Sequence, residues 1–158
     1  MLTETQKQVL QTLVLILNNN NIPFHVSGGL AAIFYGSERD LYDIDIDIYK
    51  KDIPKIRKLF KGYIIKDYHN LIDEQFDIWL LTLMIDGILV DISQAEEAYI
   101  FKKDGTKIKM DSNISKARNI EYEELKIPVQ DKKELIAYKR MVGRETDLMD
   151  IRSIRQSS

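Results

Sequence analysis

Asp43-Ile44-Asp45-Ile46-Asp47-Ile48 alternates acid and isoleucine without a break. On a β-strand, residues two apart share a face and lie roughly 6.6–6.8 Å apart along the chain. The pattern therefore sets three carboxylates on one side and three isoleucines on the other. Like charges so placed repel and raise one another's pKa. A divalent cation offsets that cost, because hard cations take carboxylate oxygens. The alternative is a solvated acidic face on an edge strand, where charge discourages edge-to-edge pairing.

Two neighbouring features bear on that choice. Asp91 interrupts the apolar run Ile88-Leu89-Val90-Asp91-Ile92. A carboxylate in such a run needs a partner, and Asp91 is a candidate third ligand from an adjacent strand. Upstream, Ser27-Gly28-Gly29 sits between a strand candidate and a helix candidate. Glycines there let a phosphate approach the backbone, and a helix N-terminus offers free N–H groups. A plain turn explains the same three residues.

The elements that must position these groups follow from periodicity. Thr3 and Gln6 have capping-box spacing, and Val9, Leu10, Leu13, Ile16 and Leu17 recur at helical intervals up to the asparagine run 18–21. Ile22 to Val26 reads as a short strand, Leu30 to Tyr35 as a short helix and Gly36 to Tyr42 as a loop. The acidic strand runs from Asp43 to Tyr49. Asp52 is placed to cap a helix from Ile53 to Phe60 that Gly62 stops, and Tyr63 to Ile65 is a possible strand. Phe76 to Ile85 and Ile88 to Ser93 flank Asp86-Gly87, a strong hairpin signal, and Asp104-Gly105 suggests a second hairpin. Asp131 and Glu134 form another capping box, opening a helix that Gly143 ends, and a last helix runs from Thr146 to Ile154. This order predicts an α+β (α/β-like) fold, a mixed β-sheet with helices packed on it.

The chain has 158 residues, which predicts one domain spanning 1–158, with a core over about 22–110 and C-terminal helices over about 131–155. Apolar residues make up 44% and charged residues 30%. The net charge of -2 counts against an RNA partner. Cysteine is absent, which excludes disulfides and thiolate metal sites. The only histidines are His25, read as a structural strand residue, and His69, read as a loop residue. No signal-peptide pattern opens the chain and no apolar run reaches the roughly 18–20 residues of a membrane span. A cytoplasmic protein without membrane contact is the expectation.

Taken in order, Gly28-Gly29, Asp43-Ile44-Asp45 and Val90-Asp91-Ile92 resemble the nucleotidyltransferase superfamily, the polymerase-beta-like fold. Members carry Gly-Gly or Gly-Ser at a strand–helix turn, Asp-x-Asp on the next strand and a further acid on a later one. Gly36-Ser37-Glu38-Arg39 looks like the loop of small bacterial and archaeal members, with an arginine four residues before the first aspartate. Lys133 to Lys139, Gly143-Arg144, Asp147 and Asp150-Ile151 are similar to their C-terminal helices. The resemblance spans about 22–152 and is closest to the abortive-infection toxin-like and the aminoglycoside or lincosamide nucleotidyltransferase-like branches.

The resemblance implies that Asp43, Asp45 and Asp91 hold magnesium, in a two-ion site, and are catalytic, with Asp91 helping as base. Ser27, Gly28 and Gly29 would cradle the phosphates of a nucleoside triphosphate (ATP or another), aided by Ser37, Arg39, Lys139 and Arg144. The implied reaction moves a nucleoside monophosphate to an acceptor hydroxyl, on an RNA end, a small molecule or a protein, and releases pyrophosphate. A non-catalytic nucleotide- or partner-binding module of the same fold is the alternative, as is the toxin of a toxin–antitoxin pair with an antitoxin partner. Bland readings stand beside these. Arg39 could pair with Glu38 or Asp40 at the surface, Lys139 could be solvated, and Asp147 and Asp150 read as cap and first-turn acids. Asp47 exceeds the usual pair and stands either behind the site or in solvent.

Overall fold

The computed structural model describes residues 1–157. Helix α1 (Glu4–Asn19) opens on the expected capping box: Gln6 N donates to Thr3 Oγ1 and Thr3 N donates to Gln6 Oε1. Its buried face carries Val9, Leu10, Leu13, Val14 and Leu17, the three-and-four spacing of an amphipathic helix.

The strands are β1 (Phe24–Ser27), β2 (Ile44–Ile48), β3 (Ile64–Ile72), β4 (Phe76–Ile85), β5 (Ile88–Gln94), β6 (Tyr99–Phe101), β7 (Lys107–Lys109), β8 (Arg118–Tyr122) and β9 (Leu125–Val129). They form one mixed sheet in the order β7-β6-β4-β5-β2-β1-β9-β8, with β3 also pairing β4. The acidic strand β2 lies inside this sheet, antiparallel to β1 and parallel to β5. The edge-strand account of its charges therefore fails. Ile44, Ile46 and Ile48 are fully buried on its other face, in a core shared with Val26, Val90, Ile92, Leu81, Leu83 and α1.

The β4–β5 hairpin turns at Asp86 (φ 50°) and Gly87 (φ 79°), the left-handed pair that a two-residue hairpin requires. β6 and β7 pair across the turn that holds Gly105. Strand β3 is far longer than the Tyr63–Ile65 stretch that the sequence suggests. The β8–β9 hairpin was not expected at all, and it carries Ile127 and Val129 into the core. The core therefore extends well past residue 110.

Helix α2 (Gly28–Phe34) starts at the glycines themselves rather than at Leu30. Helix α3 (Ile53–Leu59) follows a 3-10 turn at Lys50–Asp52, and the Asp52 side chain makes no capping bond. Helix α4 (Lys132–Val142) is capped by Asp131, which accepts from Glu134 N, and ends at left-handed Gly143. The Glu134 side chain does not complete the box; it accepts from Asn113 N and Gln130 Nε2 and ties α4 to the preceding loops. Helix α5 (Glu145–Gln156) packs on α4. Among the described residues no helix is long and apolar enough to cross a membrane.

Candidate active site

Strand register builds the site. Ser27 on β1 lies opposite Asp45 on β2, Asp45 opposite Asp91 on β5, and Asp91 opposite Thr82 on β4. Four adjacent strands thus present one row of side chains across the sheet, and Asp43 stands two residues before Asp45 on the same face. Carboxylate oxygens of Asp43, Asp45 and Asp91 all lie within 4.8 Å of one another. Thr82 Oγ1 donates to Asp91 Oδ1 at 2.7 Å, the partner that an acid in an apolar strand needs.

Burial and mutual repulsion set the electrostatics. Burial pushes the Asp45 carboxyl well above the usual carboxylate range, and the charges of Asp43, Asp91 and Asp47 push it further, against a lowering by Lys139. Asp43 is also raised, by burial and then by Asp91, while Arg39 lowers it. Three close carboxylates whose ionised forms oppose one another make an oxygen-only donor set suited to magnesium.

Asp47 is not solvated. It accepts from Ser27 Oγ at 3.2 Å and pairs with His25 Nε2 at 2.7 Å, deep in the sheet. Its carboxylate is therefore engaged with β1, behind the three converging acids. His25 is, as expected, an internal strand residue.

The two glycines make close contacts. Gly28 has φ +59°, and a Cβ there would lie 2.2 Å from Asp45 Oδ2. A Cβ on Gly29 would lie 2.6 Å from Arg39 Nη2. Gly28→Ala is therefore expected to cost about 1–2 kcal/mol in urea unfolding, since an L-residue is strained at positive φ and the new methyl displaces Asp45. Unchanged stability in that variant would contradict the close approach.

The cationic residues divide into two groups. Lys139 is buried, with Nζ 2.9 Å from Asp150 Oδ2 and 3.4 Å from Asp147 Oδ1. Asp150 also accepts from Ser37 Oγ and Arg39 Nη1, each at 3.0 Å. Arg39 thus pairs across to α5 and not with Glu38 or Asp40, and Lys139 is not solvated. Asp147 does sit in the first turn of α5, where it accepts from Arg144 N at 3.1 Å and Arg144 Nε at 2.8 Å, but Asp150 is a buried network acid rather than a cap. Ser37 stands behind the cleft with its hydroxyl engaged. Arg39, Lys139 and Arg144 all border the cleft, and Arg39 Nε is buried with no hydrogen-bond partner.

Tyr138, on α4, escaped the sequence reading. It lines the cleft, and burial followed by the charges of Asp47 and Asp45 raises its phenol beyond the usual tyrosine range. Helical spacing from Leu135 and Lys139 marks it as a face residue, but nothing local says that this face meets β2.

The acids, glycines and cations border one cleft of about 440 Å³, which continues past Ser93 to Leu71, Phe76, Ile78 and Leu80. The sequence profile of the aminoglycoside-2''-adenylyltransferase family matches residues 9–154. The chain belongs to that family. As a member of the aminoglycoside-2''-adenylyltransferase family it is a nucleotidyltransferase, in the superfamily that its motifs resemble. Solved structures agree on the fold. A protein from Thermotoga maritima assigned as a nucleotidyltransferase superposes with a TM-score of 0.77 at 23% identity, over 100% of this chain and 97% of that one. The lincosamide antibiotic adenylyltransferase LnuA, solved with lincomycin bound, gives 0.64 at 19% identity, over 99% of each chain. ANT(2'')-Ia in complex with adenylyl-2''-tobramycin gives 0.65 at 15% identity, over 97% of this chain and 89% of that one. No curated protein sequence matches the chain.

Proposed function

We propose that this family member transfers a nucleoside monophosphate, by preference AMP, from a magnesium-bound triphosphate to a hydroxyl of a small molecule. The observation that carries the reading is the convergence of Asp43, Asp45 and Asp91 at one end of a cleft large enough for a drug-sized ligand. Magnesium held by these three acids would neutralise triphosphate charge and lower the pKa of the acceptor hydroxyl.

The chain's own residues do the rest. The acceptor oxygen attacks the α-phosphorus, the bond from that phosphorus to the pyrophosphate oxygen breaks, and the hydroxyl proton passes to Asp91. The Thr82 hydroxyl donates to one Asp91 oxygen and so fixes the orientation of that carboxylate. The Arg39 and Arg144 guanidinium groups, which border the cleft, face the charge that develops on the departing pyrophosphate. Gly28 and Gly29 offer backbone without intervening side chains, and the Ser27 hydroxyl is turned to Asp47. Lys139 acts at one remove, by holding Asp150 and through it Arg39.

ATP labelled at either the α- or the γ-phosphate tests the chemistry. The α-label should pass to the acceptor and the γ-label should leave in pyrophosphate. Transfer of the γ-label to the acceptor would identify a kinase and refute the reading.

The electrostatics give a pH dependence. A metal ligand must be deprotonated, and the Asp45 carboxyl is raised in the folded protein. Magnesium affinity is therefore expected to fall as pH is lowered through that raised range, at pH values where an ordinary aspartate near 3.9 would still be ionised. Calorimetric titration with magnesium and ATP across mildly acidic pH checks this. An affinity that stays flat down to about pH 4 would remove Asp45 from the ligand set.

A further inference from the structure

The cleft changes character with distance from the acids. Phe76, Ile78 and Leu80 project into it from the β4 face that also carries Thr82, and Leu71 and Met110 close the same region. The carboxylates on the cleft wall are Asp43, Asp45, Asp47 and Asp91. The first, second and fourth converge at one end, and Asp47 is engaged by His25 and Ser27. Among the described residues the apolar end has no acid of its own: nearby Asp77 is paired with Lys107, Glu97 with Lys50 and Asp111 with Lys109. The Arg144 guanidinium, paired with Asp147, lies with its carbon 5.9 Å from the Phe76 ring centroid. Ser112 Oγ, on the same wall beside Met110, is buried without a hydrogen-bond partner.

Resting on the transferase reading, we propose that the acceptor is an uncharged or singly charged hydroxyl compound with an apolar face, laid along Phe76, Ile78 and Leu80, and not a polyamine. Several ammonium groups on this wall would lose their water against hydrocarbon, with no carboxylate to replace it. An alkyl or thioether face gains by the same burial.

The test supplies native protein with magnesium and α-labelled ATP, and offers either lincomycin, which carries one amine and an alkyl chain, or tobramycin, which carries several amines. Lincomycin should be labelled at least about tenfold faster, corresponding to about 1.4 kcal/mol of preference. Ile78→Glu should erase most of that preference while magnesium-dependent ATP binding, read by calorimetry, stays at the native level. Met110→Glu serves the same purpose if the strand variant does not fold. Equal or faster labelling of tobramycin, labelling of neither compound, or a preference unmoved by both variants overturns the proposal. ATP binding in those same preparations separates the outcomes. If magnesium-dependent binding persists, only the acceptor class is wrong; if it is missing from the native protein, the transferase reading fails too.

Discussion

Asp45→Asn is expected to abolish nucleotidyl transfer, by about 10³-fold or more, while raising the melting temperature of the metal-free protein. Asp45 stands between Asp43 and Asp47 along the chain and opposite Asp91 on β5, and its raised pKa says that its charge is opposed in the fold. A carboxyl whose folded pKa lies above its unfolded value contributes stability below the unfolded pKa and loses it as pH rises through the folded pKa. Above the unfolded pKa the metal-free native protein therefore carries the cost of burying this carboxyl among like charges, and asparagine relieves it at nearly constant shape. Asparagine also removes an anionic oxygen from the magnesium donor set. Thermal melts with and without magnesium should show native protein stabilised by the metal and the variant scarcely so, because a ligand that binds only the folded state raises apparent stability. A lower melting point in the metal-free variant would instead make Asp45 a structural residue.

Lys139→Met is expected to cost about 3 kcal/mol of folding stability, a fall of about 6–12 °C in Tm for a chain of this size. Methionine fills the space of the lysine stem but leaves Asp147 and Asp150 buried without the cation that joins them. The remaining partners, Arg144 for Asp147 and Arg39 with Ser37 for Asp150, keep the loss at the lower end of the range for a broken buried pair. Adding Asp150→Asn should recover part of it, since the double variant removes the charge that was stranded. Urea unfolding of both single variants and the double variant decides the point. Strict additivity would mean that the pair is not energetically coupled. The consequence for catalysis is indirect: Asp150 also holds Arg39, so the network that stabilises α4 against α5 also aims a guanidinium at the cleft.

The parts of this fold that the sequence reveals are those written locally. The alternating β2 pattern, the Asp86-Gly87 turn and the capping pair Thr3 and Gln6 each place their determinants within a few residues, and each forms as expected. The β8–β9 hairpin turns on Glu123 and Glu124, both at positive φ (49° and 67°). Glutamate carries no turn signal there, so the strain is borne by strand pairing that the local sequence does not display. Strand β3 is similar. Lys66, Asp67, His69 and Asn70 break its apolar alternation and its register shifts twice, yet pairing with β4 holds it extended. At the site, the three acids were legible because Asp43 and Asp45 share a strand face and Asp91 stands out in an apolar run. The Lys139–Asp150–Arg39 network and Tyr138 were not. Their partners are set by how α4 and α5 dock on the sheet, and residues 111 positions apart in the chain, such as Arg39 and Asp150, meet only there.

Manganese(II), which takes the oxygen ligands of magnesium and gives an electron paramagnetic resonance signal when free, tests the central claim most directly. Titrated into native protein with ATP, its free signal should be suppressed until the site fills, and Asp45→Asn under the same conditions should leave the signal close to that of manganese and ATP alone. Equal suppression by the native protein and the variant would contradict the assignment of Asp43, Asp45 and Asp91 as the metal-binding centre.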